Sequence, residues 1–243
     1  MGIDIVTAPL LANAAKHTRV DGEALMLGRQ TLQIPENRQG RFNTTMAGLG
    51  FSQTYSDLHQ NPPHFAEPFF DALGIKGIRS VDAAAYEGSD IIHDLNQPVD
   101  DSLSDRFSFI YDGGTLEHVF NAPTAMDNVH NMLKPGGIFV SATTGDGWFG
   151  HGFWQMSPEV AFSYWGTSRG YEILEVKEAP IKPRLHPIDI PDPRKTGKRA
   201  KRRTGGSSIY LWYAVRKPEK QVKFTTPQQS DYQTIWDNDD QDS

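Results

Sequence analysis

Phe107-Ser-Phe-Ile-Tyr-Asp112-Gly-Gly-Thr-Leu-Glu117-His118-Val-Phe-Asn-Ala-Pro123 decides how the rest of this 243-residue chain is read. Residues 107–111 form a short aromatic and β-branched run, which is the composition of a buried strand. The run stops at an acid and two glycines. Asp112-Gly113-Gly114 lets the backbone turn sharply and brings a carboxylate to the carboxyl end of the strand, where open α/β sheets bind their ligands. Pro123 suits the first turn of a helix, and Ala125, Val129, Met132 and Leu133 fall on one helical face. Lys134-Pro-Gly-Gly137 ends that helix, and Ile138 to Ala142 reads as a second buried strand. The unit is strand, acidic turn, helix, strand.

The same pattern extends upstream. Glu23-Ala-Leu-Met-Leu-Gly28, followed by Arg29-Gln30, is the first strand. Ile78 to Asp82 and Gly88 to Asn96 are two more, carrying Asp82 and Asp94 at their ends. One strand-end acid means little, but Asp82, Asp94 and Asp112 at successive strand ends predict a shared pocket. Between the first two strands, residues 31–63 are polar and rich in glycine and proline. They read as an insertion, with a covering lid as one reading. His64 to Gly74 has the spacing of a helix. Residues 1–22 read as an N-terminal extension with a short amphipathic helix over Pro9 to His17.

Downstream, Thr143 to Pro158 is a glycine and aromatic loop that carries His151, and Ser157-Pro158-Glu159 starts a helix. Tyr171 to Lys177 alternates as a half-buried strand, and Ile209 to Val215 is uniformly apolar. Without a helix between them these last two strands are expected to run antiparallel. The stretch between them, 179–208, is a basic loop containing Arg194-Lys-Thr-Gly-Lys198-Arg-Ala-Lys-Arg-Arg203. It reads either as a solvated loop or as a clamp for phosphate, anionic saccharide or RNA. The main domain is therefore 23–217, and the polar, acidic tail 218–243 is expected to be disordered apart from an anchor at Trp236.

A net charge of -6 argues against a surface that is a nucleic-acid footprint throughout. With no cysteine, disulfides, thiolate metal sites and cysteine nucleophiles are all excluded. The eight histidines lack ligand spacing, so no metal is expected. The start Met-Gly-Ile-Asp lacks the basic flank and apolar block of a secretory signal, and no run reaches the roughly 20 apolar residues a membrane span needs, so a cytoplasmic protein is expected. Nothing in the sequence sets the oligomeric state.

The order of elements, with Leu116-Glu-His-Val119 after the fourth strand and Leu133-Lys-Pro-Gly-Gly137 before the fifth, resembles the class I S-adenosylmethionine-dependent methyltransferases over roughly residues 23 to 216. Glu87 to Asn96 and Gly150 to Pro158 also look like a bacterial subgroup of them. The resemblance implies a Rossmann-like α/β sheet, mostly parallel with an antiparallel last strand. It implies S-adenosyl-L-methionine as cofactor and methyl transfer to an oxygen, before a nitrogen, of a small-molecule or saccharide-like acceptor; the alternatives are a nucleic acid held through Lys198 to Arg203, or a non-catalytic binding protein of the same fold. Asp82 would accept from the ribose hydroxyls, Asp94 and Leu95 would hold and cover the adenine, and Asp112, Gly113, Gly114 and Thr115 would line the methionine end beside Gly28. His118 and His151 would border the acceptor, where either can act as a base. One departure stands out. The family's first strand carries an acid and then Gly-x-Gly, whereas this chain has Met26 and Gly28-Arg29-Gln30. Either Arg29 and Gln30 grip the cofactor carboxylate or the site is degenerate.

Overall fold

The computed structural model describes residues 2–16, 18, 20–59, 62–182 and 184–239. Strand β1 (Gly2–Ile3) and helix α1 (Thr7–Lys16) precede β2 (Glu23–Leu27). The Asp4 carboxylate starts α1 by accepting from the backbone N–H of Val6 and Thr7 at 2.8 and 2.9 Å. Leu10, Leu11, Ala14 and Ala15 then bury on its inner face. The N-terminal segment is thus integral to the domain. β1 pairs in parallel with β3 (Thr31–Leu32), and Tyr210 near the other end of the chain donates to Asp4 at 3.2 Å.

Residues 31–63 hold β3, a short turn at Glu36–Arg38, α2 (Gln39–Gly48) and α3 (Tyr55–Leu58). Their apolar side chains Phe42, Met46 and Leu58 are buried in the same cluster as α1 and the phenylalanines of α4 (Glu67–Ala72). Phe70 of α4 meets Tyr111 edge-on with ring centroids 5.5 Å apart. The segment is a packing layer on one face of the sheet. The lid reading has no support, because the few large apolar residues of this polar stretch all point into that layer.

The sheet continues with β4 (Arg79–Asp82), β5 (Ile91–Ile92), β6 (Phe107–Asp112) and β7 (Leu133–Thr144). Helix α5 (Ala122–Met132) joins the last two and buries Ala125, Val129 and Met132 on the opposite face, against a wide π-type helix at Val160–Ser168 whose Trp165 is fully buried. β8 (Glu172–Pro180), β9 (Ile188–Asp189), α6 (Pro193–Thr196), β10 (Ile209–Arg216) and α7 (Ser230–Asp239) complete the chain.

Across the eight-stranded sheet the order is β5-β4-β2-β6-β7-β10-β8-β9. β2, β4, β5, β6 and β7 are mutually parallel, while β10 runs antiparallel to both β7 and β8. The order reverses between β2 and β6, and this is the switch point at which open α/β sheets form a crevice. Lys134-Pro-Gly-Gly137 does not end the helix in a separate loop. It bulges from β7 between the pairs Phe107↔Leu133 and Phe109↔Ile138, with Gly136 at φ 72°. The segment read as a strand from Gly88 to Asn96 contributes only Ile91–Ile92 to the ladder, because the turn at Ala85–Glu87 and the Asp94 turn flank it.

The tail departs from the expectation of disorder at α7. Ser230 donates to Glu159 from its backbone N–H and its hydroxyl at 3.2 and 2.8 Å, and Arg199 pairs with Asp231 at 2.6 Å. Trp236 is no anchor: it stays about half exposed, stacked on Tyr232.

Candidate functional site

Five segments meet at the carboxyl ends of β2, β4, β5 and β6 around a cleft of about 310 Å³. It is lined by Gly28, Arg29, Gln30, Asp82, Glu87, His93, Asp94, Leu95, Asn96, Thr115, His118 and Val119 among others. Gly28 has to be glycine. Its φ is 64°, and a Cβ there would lie 2.9 Å from Thr115 Oγ1 and 3.7 Å from the Asp82 carboxylate. Asp82 therefore faces the β2 turn closely enough that a side chain at position 28 would touch its carboxylate, one oxygen of which accepts from the Ala84 N–H at 3.3 Å. Leu95 is buried beneath the opening, and the Asp94 carboxylate accepts from the Asn96 N–H and side-chain amide at 2.9 and 2.8 Å. Those two bonds hold the Asp94 carboxyl below its ordinary range.

The third acid is not at the rim. Asp112 is fully buried, and its carboxylate accepts from the N–H groups of Gly114 and Thr115 at 3.2 and 2.7 Å and from Ser141 Oγ at 2.8 Å. Burial raises its pKa despite these donors. Gly113 and Gly114 are buried with it. These three expected methionine-end contacts are corrected: the acid is turned inward to tie the β6 turn together, and Thr115, whose hydroxyl donates to Leu27 O at 2.7 Å, takes the place at the surface.

The expected grip on a cofactor carboxylate by Arg29 and Gln30 is also corrected. The Arg29 guanidinium is committed to Glu67 at 2.7 Å and to Glu87 O at 2.8 Å, and it lies 3.7 Å over the Phe65 ring. It walls the cleft without plugging it. Gln30 is buried, with its amide nitrogen on Leu27 O at 2.6 Å. Its Oε1 has no hydrogen-bond partner. A side chain on Gly113 would overlap that amide. Met26, in the position where the family has an acid, is buried, and its sulfur accepts from the Gln30 N–H at 3.4 Å. The altered turn thus sets a buried amide behind the cleft wall in place of a cation, with its oxygen towards Gly113 and its nitrogen towards Gly28.

His118 and His151 do come together. Their rings are 4.9 Å apart at 66°. The loop carrying His151 is docked on residue 117, with Phe153 and Trp154 N–H donating to Glu117 O at 2.7 and 3.2 Å. Burial lowers the His118 pKa, as does the neighbouring His151. The Glu117 side chain is buried beside them and accepts from Thr143 Oγ1 at 2.8 Å. Burial, and then the Asp112 charge, push its pKa up to about 7. The loop aromatics are not core. Phe120 and Phe153 are about two-thirds exposed, with ring centroids 5.5 Å apart, and Trp154 donates to Val119 O at 3.1 Å.

The basic loop lies away from this cleft. Arg199 is paired with Asp231, Arg202 with Asp146, and the Arg203 and Thr204 N–H groups donate to the buried Glu178 at 2.9 and 2.7 Å. Lys198, Lys201 and Arg203 face solvent. Sequence reasoning missed Glu117 as a site residue, together with His93 and Asn96 in the lining, while Thr115 was expected there. The adjacency Glu117-His118 was visible, but its closeness to His151 is made only by the β7 loop folding back. No helix among the described residues is long and apolar enough to cross a membrane.

No family model matches the chain, nor does any curated protein. Similar solved structures include a 1,6-didemethyltoxoflavin-N1-methyltransferase of Burkholderia thailandensis, 13% identical over 87% of this chain and 76% of that one, TM-score 0.44. The N-methyltransferase NodS of Bradyrhizobium japonicum is 16% identical over 88% and 94%, TM-score 0.42. The [4+2]-cyclase SpnF is 14% identical over 87% and 81%, TM-score 0.46. At these values the likeness decides nothing, and the fold rests on the strand order itself. The chain has the Rossmann-like α/β sheet, mostly parallel with antiparallel C-terminal strands, that its sequence resemblance to class I methyltransferases implies.

Proposed function

We propose that this chain is an S-adenosylmethionine-dependent methyltransferase acting on an oxygen, with nitrogen as second choice, of a small-molecule or saccharide-like acceptor. The observation that carries the reading is the switch-point cleft that Gly28, Gln30, Asp82, Asp94 and Leu95 line together at the strand ends. The residues fit the cofactor group by group. Asp82 would accept from the ribose hydroxyls, Leu95 and Asp94 would hold the adenine, and the β2 turn at Gly28 and Gln30 would border the methionine end. When bound, the cofactor supplies an electrophilic methyl on a sulfonium. The chain then has to orient an acceptor in line with it and exclude water, which alone lowers the barrier greatly. His118, whose pKa is lowered by burial and by the neighbouring His151, lines the cleft and would take a proton from an acceptor hydroxyl. The exposed rings of Phe120, Phe153 and Trp154, with Phe120 edge-on to Phe153, offer an apolar surface for a ring-shaped acceptor. Nucleic acid is disfavoured as acceptor, because two arginines of the basic loop are already neutralised by Asp231 and Asp146.

Thermal unfolding with S-adenosylhomocysteine tests this. At a ligand concentration of about 100 times Kd, the midpoint should rise by roughly 5–10 °C for a chain of this size. Gly28→Val, which fills the gap to Asp82, should abolish the rise. No rise in the unmodified protein would overturn the proposal.

A further inference from the structure

Beside the cleft, Glu117, His118 and His151 each offer a donor atom, and these atoms all lie within 4.8 Å of one another. We propose that they form a binding site for one divalent transition-metal ion, a two-histidine, one-carboxylate face with open positions directed at the acceptor end of the cleft.

The ring geometry suits a shared ion. An imidazole nitrogen binds at about 2.1 Å, which sets each ring centre roughly 3.2 Å from the metal, so two rings at near-tetrahedral angles sit about 5 Å apart. The two centroids are 4.9 Å apart. The donor atoms, within 4.8 Å of one another, have to draw in to reach coordination distance, and that movement starts at His118, the exposed one of the three.

The surroundings suit it too. Glu117 is 1% exposed, so its carboxylate is held out of water. A buried carboxylate is costly unless a cation joins it. Thr143 Oγ1 donates to Glu117 Oε2 at 2.8 Å, the kind of outer contact that orients a ligating carboxylate. The loop carrying His151 is fixed to the same residue through Phe153 N–H. Gly152 makes the close approach, with φ 73° and an added Cβ only 2.6 Å from Glu117 O. All three donors are thus held by one small frame.

Because His118 also lines the cleft, the open positions face it. This part rests on the methyltransferase reading: the acceptor would be an oxygen compound, with a hydroxyl or a vicinal pair as the metal ligand. With the ion bound, the His118 lone pair that would otherwise serve as base would ligate the metal, and the acceptor's O–H proton would leave to water as the metal–oxygen contact forms. The new C–O bond then forms as the methyl C–S bond breaks, and the sulfur departs as a neutral thioether.

The full-length protein, freed of metal with a chelator and then dialysed, should be titrated with Co(II) by visible absorbance and with Zn(II) and Mn(II) by calorimetry at pH 7.5. One ion per chain is expected, with Kd at or below about 10 µM. Glu117→Gln and His151→Ala should each weaken binding at least about tenfold, while His186→Gln, in the exposed basic loop, leaves it unchanged. Glu117→Gln keeps shape and hydrogen bonding, so circular dichroism of that variant separates lost ligation from lost fold. No binding below 1 mM, or binding equally tight in both ligand variants, would overturn the site. S-adenosylhomocysteine binding without metal binding defeats this inference alone, and metal binding without S-adenosylhomocysteine binding defeats the methyltransferase reading alone.

Discussion

Replacing His130 by Asn should make the protein markedly less sensitive to acid. His130 lies at the end of α5, where its Nδ1 faces the Tyr171 hydroxyl at 3.0 Å. Burial first, then the charges of Lys217 and Arg169, push its pKa down to about 4, against weaker opposing pulls from Asp127 and Asp105. In the unfolded chain the ring takes a proton near pH 6.5, whereas in the fold it does so only near pH 4. As pH falls through that window the unfolded state binds more protons, so stability is lost from about 6.5 downward, and the loss is complete below about 4. At pH 5 the gap is about 1.5 units, or roughly 2 kcal/mol at 1.36 kcal/mol per unit, and partial exposure of the ring screens this to about 1–1.5 kcal/mol. Asn keeps an acceptor for Tyr171 and does not titrate. The readout is the fall in melting temperature between pH 7.5 and pH 5, which should be smaller in His130→Asn by about 2–5 °C. Other groups titrate in the same range, but they cancel in the difference between the two proteins. An identical fall in both would refute the claim that this ring is held neutral.

Three further outcomes follow from packing and turn geometry. Glu178→Ala removes the acceptor for the Arg203 and Thr204 N–H groups, so limited trypsin should cut within Lys198 to Arg203 several-fold faster; an unchanged rate would mean that the loop is held some other way. Trp165→Ala empties the centre of the α5-side core and should cost about 3–5 kcal/mol in urea unfolding, and a cost under 1 kcal/mol would contradict the packing described. Gly152→Ala forces a left-handed φ and a clash with Glu117 O, and should lower stability by about 1–3 kcal/mol; an unchanged midpoint would show that the loop is not docked there.

The parallel core was legible because each strand ends in residues that do one thing. Asp82 closes its strand at the cleft, Asp94 follows two residues after its own, and the apolar run 209–215 packs on both faces. Asp112 followed the same pattern in sequence yet turned inward. The difference lies in partners that sequence distance hides: Ser141 on the next strand donates to it, and the N–H groups of its own turn do the rest. Arg29 was misread for the same reason, since Glu67 and Phe65 lie on a segment whose placement no local pattern predicts. Residues 31–63 look like a loop in composition, and only the burial of Phe42, Met46 and Leu58 shows them to be a layer. The meeting of Glu117 with His151 required the β7 loop to fold back over 34 residues, so no spacing rule for ligands could report it.

The account stands or falls on what the switch-point cleft binds. Calorimetric titration of the unmodified protein with S-adenosylhomocysteine, beside Asp82→Ala, measures that directly. Binding at one site per chain is expected, weakened at least about tenfold by the substitution, as the loss of charge-assisted bonds to two hydroxyls requires. Absence of heat in the unmodified protein, or equal affinity in both, would contradict it.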